Sequence, residues 1–273
     1  MQQVILKSNK DLALKYLPND LYDYILNEAC GYFECHNGQI IITFDLYNES
    51  DSAPDEKISI YYTRDVTVFL CGTEESLSRI SALTSGERSS LYAFFSALLR
   101  AEPMRLQKLE CKINAIEERL IRYSDSECMP EILDLKYEIF DLKAYYTQLI
   151  SIFEECNENE NGVFDEESAK SFGNLQSRGE KLLNSTLELR DYLSQARDAC
   201  QSQIEIEQNK LMKIFTVITA LFLPLNLLVG WYGMNFTHMP ELAYPGAYTI
   251  FTVVCVVIAL TLILFFRKRK WFK

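Results

Sequence analysis

The chain has 273 residues, 48% of them hydrophobic and 24% charged, with 38 acidic against 27 basic side chains for a formal net charge of −11. That composition allows one or two folded domains and excludes collagenous and disordered classes. The charge is unevenly spread: after Gln208 there is one acidic residue, Glu241, against seven basic ones, which leaves a net charge of −17 on residues 1–208. So acidic a body argues against a nucleic-acid partner, because phosphate contacts need clusters of Lys and Arg, and it suits a domain that attracts cations.

Residues 1–84 read as a small mixed α/β domain. Short β-type runs, Gln39–Phe44, Ile58–Tyr62 and Val66–Leu70, are separated by the polar, turn-rich segment Asn48–Lys57. The opening MQQVILKSNKDL has no apolar stretch long enough for a signal peptide, so this body is expected to be cytosolic. Eight scattered cysteines form no secreted disulfide pattern. Cys30, Cys35 and His36 are close enough to raise zinc, but no second ligand pair accompanies them and ordinary thiols are the better reading. With only two histidines, no nucleophile–base set can be assembled, so no enzyme is expected.

Residues 85–208 change to a helical period. Leu106, Leu109, Ile113, Ile116 and Leu120 step by three and four, as do Leu135, Ile139, Leu142, Tyr146, Leu149 and Phe153. This pattern predicts two heptad-like helices packed antiparallel across a break near Ser124–Pro130. The connector Asn157–Ser168, NENENGVFDEES, imitates the opening of a calcium-binding loop, but its twelfth position is Ser168 where a bidentate Glu is required. It is expected to be an acidic link between helices.

From Glu180 to Leu223 neither Gly nor Pro occurs, predicting a stalk helix of roughly 65 Å that enters the apolar tail. Leu182, Leu189, Leu193, Ala196 and Cys200 form its packing stripe. Asp198, Ser202, Glu205, Asn209, Met212 and Thr216 form a polar stripe on another face.

Residues 209–273 read as a membrane domain. The 27 residues between Lys213 and Glu241, and the 25 between Glu241 and Arg267, carry no formal charge, and each accommodates a span, placed at 214–231 and 248–266. Basic residues before the first span and in the tail 267–273, with none in the loop 233–247, put both termini in the cytoplasm and the loop outside. A plasma-membrane location is expected. Thr216, Thr219 and Asn226 in the first span are costly in hydrocarbon unless they face a partner or water. A ring of identical subunits would turn that stripe toward a common axis, whereas a plain two-pass anchor would use the same groups to bond neighbouring helices.

The first span ends in Tyr232-Gly233-Met234-Asn235-Phe236, followed by Met239-Pro240-Glu241-Leu242. With this placement after a Pro-containing span and before a basic-aromatic tail, the chain resembles the CorA family of divalent-cation channels over roughly Asp198–Lys273. The resemblance implies an α+β cytosolic domain followed by a long stalk helix and two C-terminal transmembrane helices, assembled as a homopentamer with lipid and divalent cations as its other partners. It implies magnesium, with cobalt or nickel, as the transported ion, magnesium as the regulatory ion, and no organic cofactor. Asn235 would ring the outer mouth and hold the waters of a hydrated ion, supported by Tyr232, Gly233 and Met234, with Glu241 in the outer loop. Asp198, Glu205, Asn209, Met212, Thr216, Leu223 and Asn226 would line the path. Phe215 and Asn226 depart from the family's common pattern, and no residue is matched to the family's regulatory carboxylates. A zinc transporter of the same fold and a non-transporting membrane scaffold are the alternatives.

Overall fold

The structure, a computed structural model, describes residues 2–26, 32–36, 38–47, 56–84, 90–123, 128–160, 162–234, 239–240 and 244–269. Cys30 of the cysteine–histidine group lies outside them. The chain divides into two compact units, residues 1–199 and residues 200–273.

The first unit is built on a five-stranded sheet made of β1 (Gln2–Leu6), β2 (Phe33–His36), β3 (Gln39–Leu46), β4 (Glu56–Tyr62) and β5 (Thr67–Cys71). The order is β1-β5-β4-β3-β2, with β1 parallel to β5 and the other pairs antiparallel. The three apolar runs of the sequence are the central strands. The two edge strands left no such signal. β1 is held by pairing Gln2–Leu6 with Thr67–Cys71, some 65 residues away, and β2 has only four residues.

Both faces of the sheet are covered, which is why β3 and β5 read as near-continuous apolar runs rather than alternating ones. On one face Ile41, Tyr61, Val68 and Leu70 join Ile5 with Ala13 and Leu17 around α1 (Lys10–Ala13) and Tyr22 and Ile25 of α2 (Asn19–Leu26). On the other, Phe44 and Phe69 meet Phe94 and Phe95 of α4 (Leu91–Leu98), with ring centroids 4.8 to 6.5 Å apart.

Between them α3 (Glu74–Thr84) starts over the Glu56 carboxylate, which accepts the backbone N–H groups of Gly72 and Thr73 and the hydroxyls of Thr73 (2.6 Å) and Ser76 (2.8 Å). Burial pushes this carboxyl up. The hydrogen bonds, those from the Thr73 and Ser76 hydroxyls foremost, outweigh burial and hold it below the ordinary Glu value.

Three long helices complete the unit: α5 (Glu102–Tyr123), α6 (Met129–Glu158) and α7 (Glu166–Tyr232). Ion pairs Lys112–Glu138 and Arg119–Glu131 link α5 and α6 with rising numbers on one helix and falling numbers on the other, so the two run antiparallel. Pro130 sits in the first turn of α6, where its missing N–H has no partner to lose. The predicted stripes are the seams: Leu109, Ile113, Leu142, Tyr146 and Leu149 are all buried. Within the seam Glu102 and Arg105, 2% and 8% exposed, are paired at 2.8 and 3.1 Å, and the Tyr146 hydroxyl donates to Glu102 at 2.7 Å. The Tyr192 hydroxyl of α7 lies 2.6 Å from Asn114 Oδ1 and 2.5 Å from Glu117 Oε2 of α5, and the Glu117 bond raises the phenol's pKa.

The calcium-like connector is closed by a side chain. The carbonyls of Gly162 and Val163 accept the Arg64 guanidinium (2.9 and 3.4 Å), Asn159 adopts a left-handed φ of 47° while its amide brackets Phe164, and Asp165 accepts the Ser168 N–H at the start of α7. A guanidinium thus occupies the carbonyl acceptors that a cation would need.

The stalk is longer than its Gly- and Pro-free core predicts: α7 has 67 residues, roughly 100 Å, and continues through Gly173, Gly179 and Pro224. Gly173 and Gly179 are contact points rather than breaks. A Cβ at these positions would stand 3.1 Å from Asn157 Oδ1 and 2.9 Å from Ile150 Cγ1, so the glycines let α6 and α7 approach closely.

Candidate ion path

The second unit contains the end of α7 and α8 (Ala247–Lys268), and both helices hold stretches long and apolar enough to cross a membrane. The predicted spans 214–231 and 248–266 fall inside them. The Tyr232 ring packs edge-on against Phe251 at 5.5 Å, and Val217 and Phe266 are buried, so the two helices lie antiparallel with Val217 and Leu228 on the side of α7 that turns to α8.

At 100° per residue, Glu205, Asn209, Met212, Thr216, Leu223 and Asn226 of the second unit fall within an arc of about 100° whose centre is about 130° from the side facing α8. All six are exposed, Met212 and Leu223 at 63% each, and Asp198, which belongs to the first unit, is exposed as well. The six lie along about 32 Å of helix. Thr219 lies inside the same arc and is exposed. Its place beside Thr216 and Asn226 in the polar stripe of the first span is the one expected from the sequence. Phe215, 63% exposed, sits at the edge of the arc.

The chemistry along the face changes in order. At the end farthest from Gly233 the arc carries the Glu205 carboxylate, and in the first unit Asp198 is paired with Arg197 at 3.0 Å. Next come the Asn209 amide and the Met212 thioether. The Thr216 hydroxyl donates to the Met212 carbonyl at 2.7 Å, which satisfies its proton inside the helix and leaves oxygen lone pairs outward. Leu223 and the Asn226 amide follow. Such a surface offers oxygen acceptors to a hydrated cation, interrupted by apolar positions.

The helix ends at Tyr232, and the Gly233 N–H bonds to Val229 O at 2.8 Å. A Cβ at Gly233 would stand 2.8 Å from that same carbonyl oxygen, so the turn requires glycine. Met234 is half exposed. Tyr232 points to α8 rather than along the polar arc, so its ring braces the turn from the side of the second helix. Asn235 and Glu241 lie outside the described residues.

Comparison with known proteins joins these features. The family model described as CorA-like Mg2+ transporter protein matches residues 55–268. The cobalt/magnesium transport protein CorA of Thermotoga maritima is 26% identical over 181 residues, 66% of this chain and 52% of that protein, so the chain matches about half the length of this curated relative. The solved structure of the CorA magnesium transporter from Methanocaldococcus jannaschii superposes with a TM-score of 0.77 at 19% identity, covering 98% of this chain and 90% of the other. The ZntB cytoplasmic domain from Vibrio parahaemolyticus shares the fold over 71% of this chain and 82% of its own, with a TM-score of 0.57 at 11% identity. With more than three-quarters of its length inside the family model, the chain belongs to the CorA-like Mg2+ transporters, a family of membrane transporters and not of enzymes.

Proposed function

We propose that the chain is one subunit of a homopentameric channel that carries Mg2+, with Co2+ or Ni2+ as further cargo, inward across the plasma membrane. The observation that carries this reading is the exposed polar arc of α7, turned away from α8 and leading to Gly233-Met234-Asn235. Residues 1–84 and 85–208 form the cytosolic sensor and stalk, and residues 209–273 the membrane domain, with both termini cytoplasmic and the loop 233–247 outside.

In a ring, α7 of each subunit turns its arc to the axis and α8 meets lipid. One Asn235 amide oxygen from each subunit hydrogen-bonds the water shell of the entering ion. Magnesium gives up water reluctantly, so an outer-shell ring selects it without that cost. Glu241 raises the local cation concentration at the mouth. Thr216 and Asn226 exchange hydrogen bonds with the shell along the way, Met212 and Leu223 close the path by dewetting, and Asp198 and Glu205 draw the ion into the cytosol. A potential of 100 mV contributes about 2.3 kcal/mol per charge, hence about 4.6 kcal/mol for a divalent ion, so the membrane potential suffices to drive uptake. Cytosolic Mg2+ bound among the carboxylates of the acidic body holds the ring shut, and its loss opens it.

Magnesium influx into liposomes under an inside-negative potential tests the reading. Wild type takes up Mg2+, and Asn235→Ala loses uptake while keeping its oligomeric size. A variant that transports as well as wild type would sink the Asn235 ring. Uptake of Zn2+ in preference to Mg2+, dependent on a proton gradient, would instead support a zinc transporter of this fold.

A further inference from the structure

We propose that the basic ends of α7 and α8 form a binding surface for anionic phospholipid headgroups. Lys210 and Lys213 of α7 and Arg267, Lys268 and Arg269 at the end of α8 are all exposed. None of the five has a carboxylate partner among the described residues.

The antiparallel arrangement brings them to one depth. Counting back from the Tyr232–Phe251 contact, Arg267 to Arg269 lie level with positions 214–216 of α7, beside Lys213, and Lys210 follows about 4.5 Å beyond. On the helical wheel Lys210 and Lys213 fall within about 40° of Val217, on the side facing α8 and away from the centre of the polar arc. These cations therefore belong to the lipid side of the helix pair and not to the proposed path, where they would repel the cargo. The Arg269 guanidinium rests 5.8 Å from the Phe265 ring, which holds it at the boundary between apolar and polar surface. Glu205 and Glu207 lie farther along α7, away from the apolar stretch.

Five cations without a carboxylate partner among the described residues, at the rim of two apolar helices, meet the chemistry of a phosphodiester monoanion carried on acyl chains. Lys and Arg donate to the phosphate oxygens. The attraction acts within a Debye length of the surface, and the chains lie against the exposed Leu260, Ile263 and Leu264 of α8. A soluble phosphate finds the same charges but no such apolar flank, so the occupant is the lipid. The inference rests on the transmembrane reading of α7 and α8, and on neither the transported ion nor Asn235.

Native mass spectrometry of the purified full chain in detergent, offered equal phosphatidylglycerol and phosphatidylcholine, tests it. Wild type is expected to retain phosphatidylglycerol about tenfold over phosphatidylcholine, with the preference falling as salt rises from about 50 to about 500 mM. Lys210→Gln with Lys213→Gln, and Arg267→Gln with Lys268→Gln and Arg269→Gln, should each weaken the preference and together remove it, whereas Lys210→Arg with Lys213→Arg should keep it. Circular dichroism and elution volume matching wild type confirm that the variants are folded. Equal retention of both lipids, an unchanged preference in the folded combined variant, or displacement of phosphatidylglycerol by inorganic phosphate would each overturn the proposal. A protein that keeps the lipid preference but shows no Mg2+ influx would refute the channel and support the lipid surface.

Discussion

In residues 1–199 the helices bury their apolar stripes in one another: Leu109, Ile113, Leu142, Leu149 and Leu175 are at most 1% exposed. In residues 200–273 the large apolar side chains face outward, Leu223, Leu227 and Leu264 each being 63 or 64% exposed, and Cys200, Val217 and Phe266 are the only buried ones among the described residues. A single helix, α7, contributes to both regions. The difference teaches that helical periodicity states which side chains share a face, while the surroundings decide what that face is for. The first region carries its own core and suits water. The second has an apolar surface far larger than a soluble monomer exposes, and its proper solvent is the bilayer.

The sharpest way to break this contrast is inside the first region. Glu102→Leu leaves Arg105 buried beside Tyr146 without its carboxylate, and a loss of about 3–5 kcal/mol is expected in denaturant unfolding. A loss below about 1 kcal/mol would mean that this seam is open to water. Leu142→Ala, at a fully buried position, is expected to cost about 2–5 kcal/mol by the same measurement.

Smaller effects sharpen the contrast. Glu56→Gln weakens the turn that leads into α3, where the carboxylate accepts the Gly72 and Thr73 N–H groups, by about 1 kcal/mol at neutral pH. Because the folded carboxyl titrates below its unfolded value, its contribution is whole above the ordinary Glu value and is lost as pH falls through the folded value. The stability gap between wild type and Glu56→Gln should therefore close on acidification below about pH 4.5. A gap that stays constant from pH 7 to about pH 3 would show that the charge is not what holds the turn. At the other extreme, Met212→Ala on the exposed arc should change stability by less than about 0.5 kcal/mol while raising Mg2+ flux through the widened constriction, as read in the liposome assay. A folded variant that loses several-fold more stability than this and conducts as wild type does would reverse the assignment of that face.

Much of this architecture was legible in advance. The stripes of α5 and α6, the packing stripe of α7, three of the five strands and both apolar spans follow from periodicity and run length, which are local properties. β1 escaped because Gln2–Leu6 becomes a strand through a partner some 65 residues away, and β2 because Phe33–His36 is only four residues long and follows the register of its hairpin partner β3. The extent of α7 was underestimated because Gly173 and Gly179 read as breaks, although each marks a close approach to α6. For the candidate site, the stepwise positions from Asp198 to Asn226 were visible as a heptad-like series. That those from Glu205 to Asn226 turn away from α8, and that Tyr232 turns toward it, required both helices.

By itself the sequence determined the class of the protein: an acidic body, a change of period at each domain, two uncharged spans and a Gly-Met-Asn tripeptide at the end of the first. These are statements about composition and spacing, and the chain carries them in any conformation. Tertiary structure alone decided that Glu56 holds the turn before α3, that Arg64 closes the calcium-like loop, and that the basic residues of α7 and α8 reach one depth. Each depends on groups far apart in the chain, and only the folded backbone sets the distance between them.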